Sequence, residues 1–357
     1  MSAIEGLGRW PRSNGPDMFW FDHEWPALEA GRPLGPVTSV AEDVDGTLYV
    51  LGRGRVMDPL IALAPDGRYL RSVRTWDDGL FEYPHGLRID AERTLWATDL
   101  RRHQAFRLSR DGEVLLELGT QGEAGGGDRH LDGPTDIAFA PGGEVLVGDG
   151  HGAQARIVRF DRGGRFVGAI GRSDERPGDR AGELNLPHSL AFGPDGRLYV
   201  CDRHNFRIQA FDVEGRSVAM WTNVGEPHWI DIGADGEAWV VTSHTLLDLA
   251  TAGEPPIRNL SYSAMESRLL RMDLATGTIL GALEAPPQTG GHAVTRTRSG
   301  GLVISSLTRG VATWQPGMHP AFEGEWGNVR ERPPEVVARY VPGAGSTTGQ
   351  DAEETDA

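Results

Sequence analysis

A chain of 357 residues with a formal net charge of −16 is long enough for one large all-β domain, and its acidity argues against nucleic acid or an anionic membrane as a partner. No apolar stretch reaches the length of a transmembrane helix, and the first residues lack the basic segment and apolar core of a secretory signal. The single cysteine, Cys201, has no partner for an internal disulfide, so we expect a reducing, cytoplasmic location.

The chain divides into three parts along its length. Residues 1–35 precede the first copy of a repeat, and we expect them to supply a closing strand or to cover an edge. Residues 36–340 contain the repeats. Residues 341–357 are rich in Gly, Ser, Thr and acidic side chains, and this composition predicts a disordered tail.

One sequence pattern recurs six times in the middle part. Each copy has an apolar run, a polar turn and a second apolar run, which ends at Asp99, Asp149 and Asp202 in copies two to four. A hairpin follows, as in residues 156–170, so each copy predicts four strands. The copies begin at Pro36, Pro84, Pro134, Pro187, Pro227 and Gly291. Longer spacings predict loops at residues 121–131 and 246–260.

Repeats of roughly 40–50 residues that are built from short strands are typical of a β-propeller, in which each repeat is one blade. We therefore predict an all-β fold for residues 36–340. Its architecture is expected to be a six-bladed β-propeller with four-stranded blades around a central channel.

The second residue of four copies is histidine, namely His85, His188, His228 and His292. The first strand of each blade lines the channel, and blades two, four and six are about 120° apart. His85, His188 and His292 are therefore expected to converge on the axis. Three imidazoles with an open fourth position are typical of a catalytic zinc site, and burying them together without partners is unfavourable. The sequence predicts a metal centre on these three residues, with Zn²⁺ as the ion.

His228 shares the register, but its blade lies between those of His188 and His292. Four interpretations stay open for it: a fourth metal ligand, a substrate contact, a group that orients a ligand, or a surface histidine.

Six segments, in this order and with this spacing, resemble a known family. They are YPHGL (83–87), HQAFRL (103–108), GPTDIA (133–138), DGHG (149–152), LPHSLA (186–191) and DRHNFRIQ (202–209). On these segments the chain, from residue 36 to about residue 307, resembles the peptidyl-α-hydroxyglycine α-amidating lyases, which are six-bladed propellers with NHL-type repeats.

The resemblance implies zinc on the same three histidines and two channel arginines near the substrate, Arg53 and Arg203. Enzymes of this family split a carbinolamide, R–CO–NH–CH(OH)–COOH, into a primary amide and glyoxylate. Zinc can act as a Lewis acid on the hydroxyl oxygen or hold a hydroxide that takes its proton. The donor fork of a guanidinium suits the substrate carboxylate.

The chain departs from the family at the position of a tyrosine that is a proposed general base, where it has His151. Imidazole moves protons near neutral pH, so His151 is a candidate catalytic residue. A direct contact with the metal or with the substrate is the open alternative.

Two further departures concern structural elements. Ala293 replaces an aspartate that binds a structural calcium, whose other contacts are backbone carbonyls that fall on Val40 and Leu87. A hard cation there loses its main charge partner, so we expect no Ca²⁺. The family's cysteine pair falls on Asp132 and Gly152, in agreement with a reducing compartment.

We expect no monooxygenase domain that would make a hydroxyglycine peptide, so the expected substrate is a small carbinolamide. The sequence leaves protein partners unknown. Two rival functions remain. One is a metal-dependent hydrolase or hydratase on the same propeller. The other is a non-catalytic NHL-type scaffold for protein interactions. The converging histidines favour an enzyme, and imidazole ligands favour zinc over calcium.

Overall fold

A computed structural model of the chain describes residues 8–9, 18–22, 26, 34–243, 267–284, 291–307, 310–316 and 340–342. The loop predicted at 246–260 and the part of the predicted tail from 343 to 357 lie outside these residues. None of the helices in the described part has the length and apolar character needed to cross a bilayer.

The described residues form 26 strands and two short 3₁₀ helices, Trp76–Asp78 and Arg203–Asn205. The first strands are β1 (Gly8–Arg9), β2 (Met18–Asp22), β3 (Val37–Glu42), β4 (Leu48–Gly52), β5 (Leu60–Leu63), β6 (Tyr69–Arg74), β7 (Pro84–Ile89), β8 (Leu95–Asp99), β9 (Gln104–Leu108) and β10 (Val114–Leu118). Next come β11 (Pro134–Phe139), β12 (Val145–Asp149), β13 (Arg156–Phe160), β14 (Phe166–Gly171), β15 (Pro187–Phe192), β16 (Leu198–Asp202), β17 (Arg207–Phe211) and β18 (Ser217–Trp221). The last are β19 (Glu226–Ile232), β20 (Glu237–Ser243), β21 (Ser267–Asp273), β22 (Thr278–Glu284), β23 (Gly291–Arg296), β24 (Leu302–Ser306), β25 (Gly310–Pro316) and β26 (Tyr340–Pro342).

These strands pair into six antiparallel sheets. Four sheets consist of four consecutive strands, β3 to β6, β7 to β10, β11 to β14 and β15 to β18. The fifth has the order β19-β20-β21-β22-β26, and the sixth has the order β23-β24-β25-β2-β1. Strand β2, from the N-terminal part of the chain, thus pairs with β25 and completes the last sheet. Val341 and Pro342, which the sequence assigned to the tail, lie in β26 and pair with β22.

The sheets form a closed ring. The innermost strands β3, β7, β11, β15, β19 and β23 each contact the next, and β23 contacts β3. The apolar core lies between neighbouring sheets. Leu60 of the first sheet, for example, packs in one cluster with Leu87 and Phe106 of the second, and Val303 of the last sheet packs with Val50 of the first. The predicted all-β propeller with four-stranded blades around a channel is therefore confirmed.

Burial follows each strand's place in its sheet. The second strands β4, β8, β12 and β16 are buried at every residue because neighbouring sheets cover both of their faces. The outermost strand β18 alternates between half-buried and exposed residues. This is why the sequence has continuous apolar runs in the second strands and a period of two at the periphery.

The aspartates that end the second strands stabilise the entry to the channel strands. Asp99 accepts a hydrogen bond from the backbone N–H of Tyr83 at 2.7 Å, and Asp202 accepts one from Asn185 at 2.7 Å. Asp149 makes the equivalent bond in the third sheet. Each bond holds the loop just ahead of a Pro at the start of a channel strand, so these aspartates position the histidine register.

Candidate metal centre

A bulge directs the second residue of copies two to six toward the axis. In the first copy the bulge is at Thr38, one residue later than a start at Pro36 predicts. In all six sheets the pairing between the two inner strands shifts register at this point, for example between Pro84 and Leu87 and between Pro187 and Ser189. A β-bulge changes the direction of a side chain without ending the sheet. The repeated bulge therefore gives the channel residues a common orientation.

The Nδ1 atoms of three channel histidines make equivalent bonds to the neighbouring sheet. His85 Nδ1 is 2.7 Å from the carbonyl oxygen of Thr135, His188 Nδ1 is 2.6 Å from that of His228, and His292 Nδ1 is 2.6 Å from that of Thr38. A carbonyl oxygen only accepts, so each Nδ1 carries the proton and donates. Each Nε2 is then unprotonated and carries a lone pair, and this tautomer of imidazole can bind a metal through Nε2.

These imidazoles meet on the channel axis. The ring centroids of His85 lie 4.7 Å from those of His188 and His292, and the latter two are 5.1 Å apart. Their ligand nitrogens lie within 4.8 Å of one another. The Nε2 atom of His188 is buried and has no hydrogen-bond partner among the described residues. Three converging nitrogen donors, one of them unpaired, fit a metal ion that prefers imidazole.

The environment keeps these groups neutral. All three residues are at most 1 % exposed. Burial lowers the pKa of His85, His188 and His292 well below 6.5, and the charge of Arg53 or Arg203 lowers it further. Neutral imidazole is the form that binds a metal ion, so the lowered pKa values keep these nitrogens available as ligands near neutral pH.

His228 does not join the other three. It is buried, so the surface interpretation is wrong, and its Nε2 lies 3.1 Å from the hydroxyl of Ser243. The metal-ligand group found among the described residues contains only His85, His188 and His292. The contribution of His228 to this group is its backbone carbonyl, which orients the ring of His188.

His151 lies beside the centre, in the turn after β12. Its Nε2 is 3.3 Å from Nε2 of His85, and its ring centroid is 5.4 Å from that of His188. Enclosure by the channel walls, and then the charges of Arg203 and Arg53, lower the pKa of His151 to about 3. His151 is nevertheless an exposed residue by its accessible surface, so solvent reaches it while its ring contacts His85.

Arg53 and Arg203 lie at the same end of the channel. The guanidinium of Arg53 stacks 4.1 Å from the ring centroid of Tyr83, and its Nε donates to the carbonyl of Pro84 at 2.8 Å. Arg203 is 6 % exposed, and its Nε is 3.1 Å from Glu226 Oε1. The charges of both arginines lower the pKa of His151 and His292. Two cations close to three imidazoles give this end of the channel a positive potential.

The residues that support Arg203 were not predicted from the sequence. Glu226 also receives the hydroxyl of Ser243 at 3.2 Å, and that hydroxyl contacts His228. A network therefore joins Arg203 to the sheet that orients His188. The available signal was the Glu that directly precedes Pro227 at the start of the fifth copy.

The positions that the resemblance links to calcium do not fit a divalent cation. Ala293 offers no oxygen, and it is 1 % exposed. The carbonyl of Val40 accepts the hydroxyl of Thr295, and the carbonyl of Leu87 lies 3.3 Å from the hydroxyl of Ser39, which donates to it. Both carbonyls accept hydrogen bonds, and Ala293 supplies no carboxylate at this position to balance the charge of Ca²⁺.

The positions of the family's cysteine pair are in contact in this chain. A Cβ added to Gly152 would lie 2.0 Å from Cγ of Asp132. Hydrogen bonds join the two turns instead, from Gly152 N–H to the Asp132 carbonyl at 2.8 Å and from Ala153 N–H to the Asp132 carboxylate at 2.6 Å.

Fold and site together define the class, a β-propeller with a candidate metal centre on three channel histidines. The family model described as NHL repeat matches residues 184–211. The chain is 33 % identical to the peptidylglycine alpha-amidating monooxygenase of Rattus norvegicus, over 58 % of this chain and 24 % of that protein. It is 35 % identical to the probable peptidyl-alpha-hydroxyglycine alpha-amidating lyase of Caenorhabditis elegans, over 50 % of this chain and 56 % of that protein.

The resemblance to the amidating lyases is thus confirmed at the level of named relatives, although the chain spans only about a quarter of the rat protein and about half of the nematode protein. A gluconolactonase from Xanthomonas campestris has the same fold, with a TM-score of 0.56 over 88 % of this chain and 98 % of that one. At 17 % identity this likeness concerns the fold alone.

Proposed function

We propose that this protein is a zinc-dependent lyase, which cleaves the C–N bond of a small carbinolamide and releases an amide and an aldehyde such as glyoxylate. The observation that carries the proposal is the group of three buried, neutral imidazoles whose Nε2 atoms converge in the channel. Relatives that are named amidating lyases support the same reaction class.

A zinc ion held by His85, His188 and His292 would supply a Lewis acid or a hydroxide at the substrate hydroxyl. The proton is handled by the chain itself. His151, with its Nε2 3.3 Å from that of His85, is in reach of the hydroxyl proton. Because its pKa is low, it would take this proton only from a hydroxyl that the bound cation has acidified, and it would release the proton readily. The C–O bond then becomes a carbonyl as the C–N bond breaks, and the proton passes to the leaving amide nitrogen. The reaction balances without water, oxidant or reductant.

Arg53 and Arg203 are the proposed binding groups for the substrate carboxylate. The charges of both arginines lower the pKa of His151 and His292. This effect supports a position of the two guanidinium groups close to the reacting atoms. A guanidinium presents parallel donors that match a carboxylate. Glu226 pairs with Arg203 through Nε, and this contact fixes the orientation of the fork.

We further propose a small-molecule substrate and a reducing, cytoplasmic location, with no nucleic acid or membrane as partner. The net charge of −16 opposes anionic partners. Cys201 is buried, and burial raises the pKa of its thiol well above 9.0. The turn at Asp132 and Gly152 is joined by hydrogen bonds, which need no oxidising compartment.

The test is an assay of the zinc-loaded protein with N-acyl-α-hydroxyglycines that carry short acyl groups. We expect glyoxylate and the primary amide in equal amounts, and we expect a His188→Ala variant to release neither above background. If the zinc-loaded protein releases no glyoxylate from any of these substrates, the proposed lyase activity is contradicted. Hydrolysis of lactones or esters by that same preparation would indicate the metal-dependent hydrolase instead.

A further inference from the structure

Arg88 crosses the channel on the far side of the histidine register. Its Nε and one NH₂ group donate to the two carboxylate oxygens of Asp136 at 3.0 and 2.6 Å. The same NH₂ group is 3.1 Å from the hydroxyl of Ser189, 3.2 Å from the carbonyl of Leu190 and 3.3 Å from the carbonyl of Ile230. A single guanidinium thus collects oxygens from three other strands.

These contacts span much of the ring. Arg88 lies in β7, and its partners lie in β11, β15 and β19, so one side chain joins four of the six channel strands. The face of the guanidinium is covered by the ring of Trp229, whose centroid is 4.3 Å from Cζ. Only 18 % of the Arg88 side chain and none of the Asp136 side chain is exposed.

The chemistry of this arrangement is that of a cation site. Carbonyl oxygens, a hydroxyl and one carboxylate converge on a single positive charge, which is the ligand set of a hard metal ion. The guanidinium stays protonated, because the charge of Asp136 outweighs the burial that would lower its pKa and so raises the pKa of Arg88. Leu190 and Ile230 are the fourth residues of their copies, as Leu87 is, and Val40 has the equivalent pairing in the first sheet. Val40 and Leu87 supply the carbonyls that the resemblance links to calcium.

We infer that the guanidinium of Arg88 is a built-in structural cation of the channel, which replaces a divalent ion at this level and makes the stability of the propeller independent of Ca²⁺. The inference does not depend on the proposed reaction. It also explains why the chain can have Ala293 where the family has an aspartate. The cation of this part of the channel is Arg88, and Asp136 already balances its charge.

The same cation positions two of the metal-binding histidines. Arg88 is three residues from His85 on one strand, and Ser189, which it contacts, directly follows His188. Ser189 also donates to Asp136 at 2.9 Å, so the three polar groups form one closed network. Arg88 is therefore a positioning residue, and no contact with substrate is required of it.

The first test is thermal unfolding of the wild-type protein with excess Zn²⁺, with and without 1 mM-scale Ca²⁺ at constant ionic strength. We expect the same midpoint in both buffers. A midpoint that rises with Ca²⁺ would overturn the inference, whatever the variants do.

The second test uses variants. Arg88→Met is expected to lower the midpoint by roughly 5–10 °C, because Asp136 is left buried without its counter-ion. Arg88→Lys keeps the charge and loses the two parallel N–H donors, so its unfolding midpoint is expected to lie between those of the wild type and Arg88→Met. The control is Arg165→Met, which removes a guanidinium that is 87 % exposed. An Arg88→Met protein as stable as the control would also overturn the inference.

A chemical rescue distinguishes a cation from a space-filling side chain. Millimolar methylguanidinium should raise the midpoint of an Arg88→Ala protein and leave the wild type unchanged, whereas neutral methylurea should do neither. Equal effects of the two compounds would contradict the inference. If Arg88→Ala does not fold without methylguanidinium and folds in its presence, that outcome supports it.

Discussion

The Nδ1 atom of His188 donates to the backbone carbonyl of His228 at 2.6 Å, although both residues hold the same place in consecutive copies of the repeat. One copy thus supplies an imidazole to the axis, and the next supplies the carbonyl that orients it. The pattern recurs between His85 and Thr135 and between His292 and Thr38. Alternation of donor and acceptor sheets gives the centre its three-fold character.

This alternation predicts different metal retention for two neighbouring histidines. His188→Ala removes a nitrogen donor and should lose metal affinity by at least about 10-fold, the lower end of what loss of a supporting residue costs. His228→Ala keeps the carbonyl and should retain a full equivalent of metal. Mass spectrometry of metal per chain after dialysis measures both. Full occupancy in the first variant, or equal loss in the two, would contradict the assignment.

The two channel arginines should favour substrates that carry a carboxylate over analogues that lack this charge. We expect Arg203→Met to lower kcat/KM about 10–100-fold, which is the loss of hydrogen bonds to a charged group. The loss should vanish with a substrate in which the carboxylate is a carboxamide, since the partner charge is then missing. Arg165→Met is the exposed control. A loss that is the same for both substrates would indicate a structural effect.

The neutral histidines make the metal-free protein sensitive to acid. Burial lowers the pKa of His85, His188, His228 and His292 well below 6.5. The unfolded chain therefore binds more protons than the folded chain as the pH falls below about 6.5, and stability decreases by about 1.4 kcal/mol per pH unit for each histidine.

Urea unfolding of the metal-stripped protein at pH 7.5, 6.5 and 5.5 measures this dependence. His228→Gln removes one titrating group from the channel and should flatten the curve. Arg165→Met, which removes an exposed guanidinium, is the control and should leave the curve unchanged. A free energy of unfolding that is constant between pH 7.5 and 5.5 would refute the prediction.

The parts of the fold that repeat could be predicted from the sequence. The spacing of the copies predicts the sheets, and one register predicts that His85, His188 and His292 meet, because a closed ring converts sequence position into height and angle. The aspartates after the second strands were visible in the same way. Their bonds to the N–H groups of Tyr83 and Asn185 are local and recur in each copy.

Features that cross the ring could not be read from the repeats. Arg88 is a charged residue in an apolar strand, and its partners lie between 48 and 142 positions away. Strands β2 and β26 lie outside the regular four-strand pattern, and they pair with β25 and β22 of distant copies. The sequence indicated a closing strand or an edge cover before residue 36, but it did not indicate the partner strand. His228 is absent from the metal-ligand group of the described residues, and its Nε2 contacts Ser243, a residue outside the register.

A glycine beside the centre offers a test that leaves every ligand in place. A Cβ on Gly86 would lie 2.4 Å from the carbonyl oxygen of Thr135, which is the acceptor for His85 Nδ1. Gly86→Ala should therefore push β7 from β11, lower the free energy of unfolding by about 1–3 kcal/mol and weaken metal binding about 10-fold. The matched control is Ala293→Gly, at the same place after His292, which should keep its metal. A Gly86→Ala protein with wild-type metal affinity, or an Ala293→Gly protein that loses as much, would show that close approach of the strands does not set the orientation of His85.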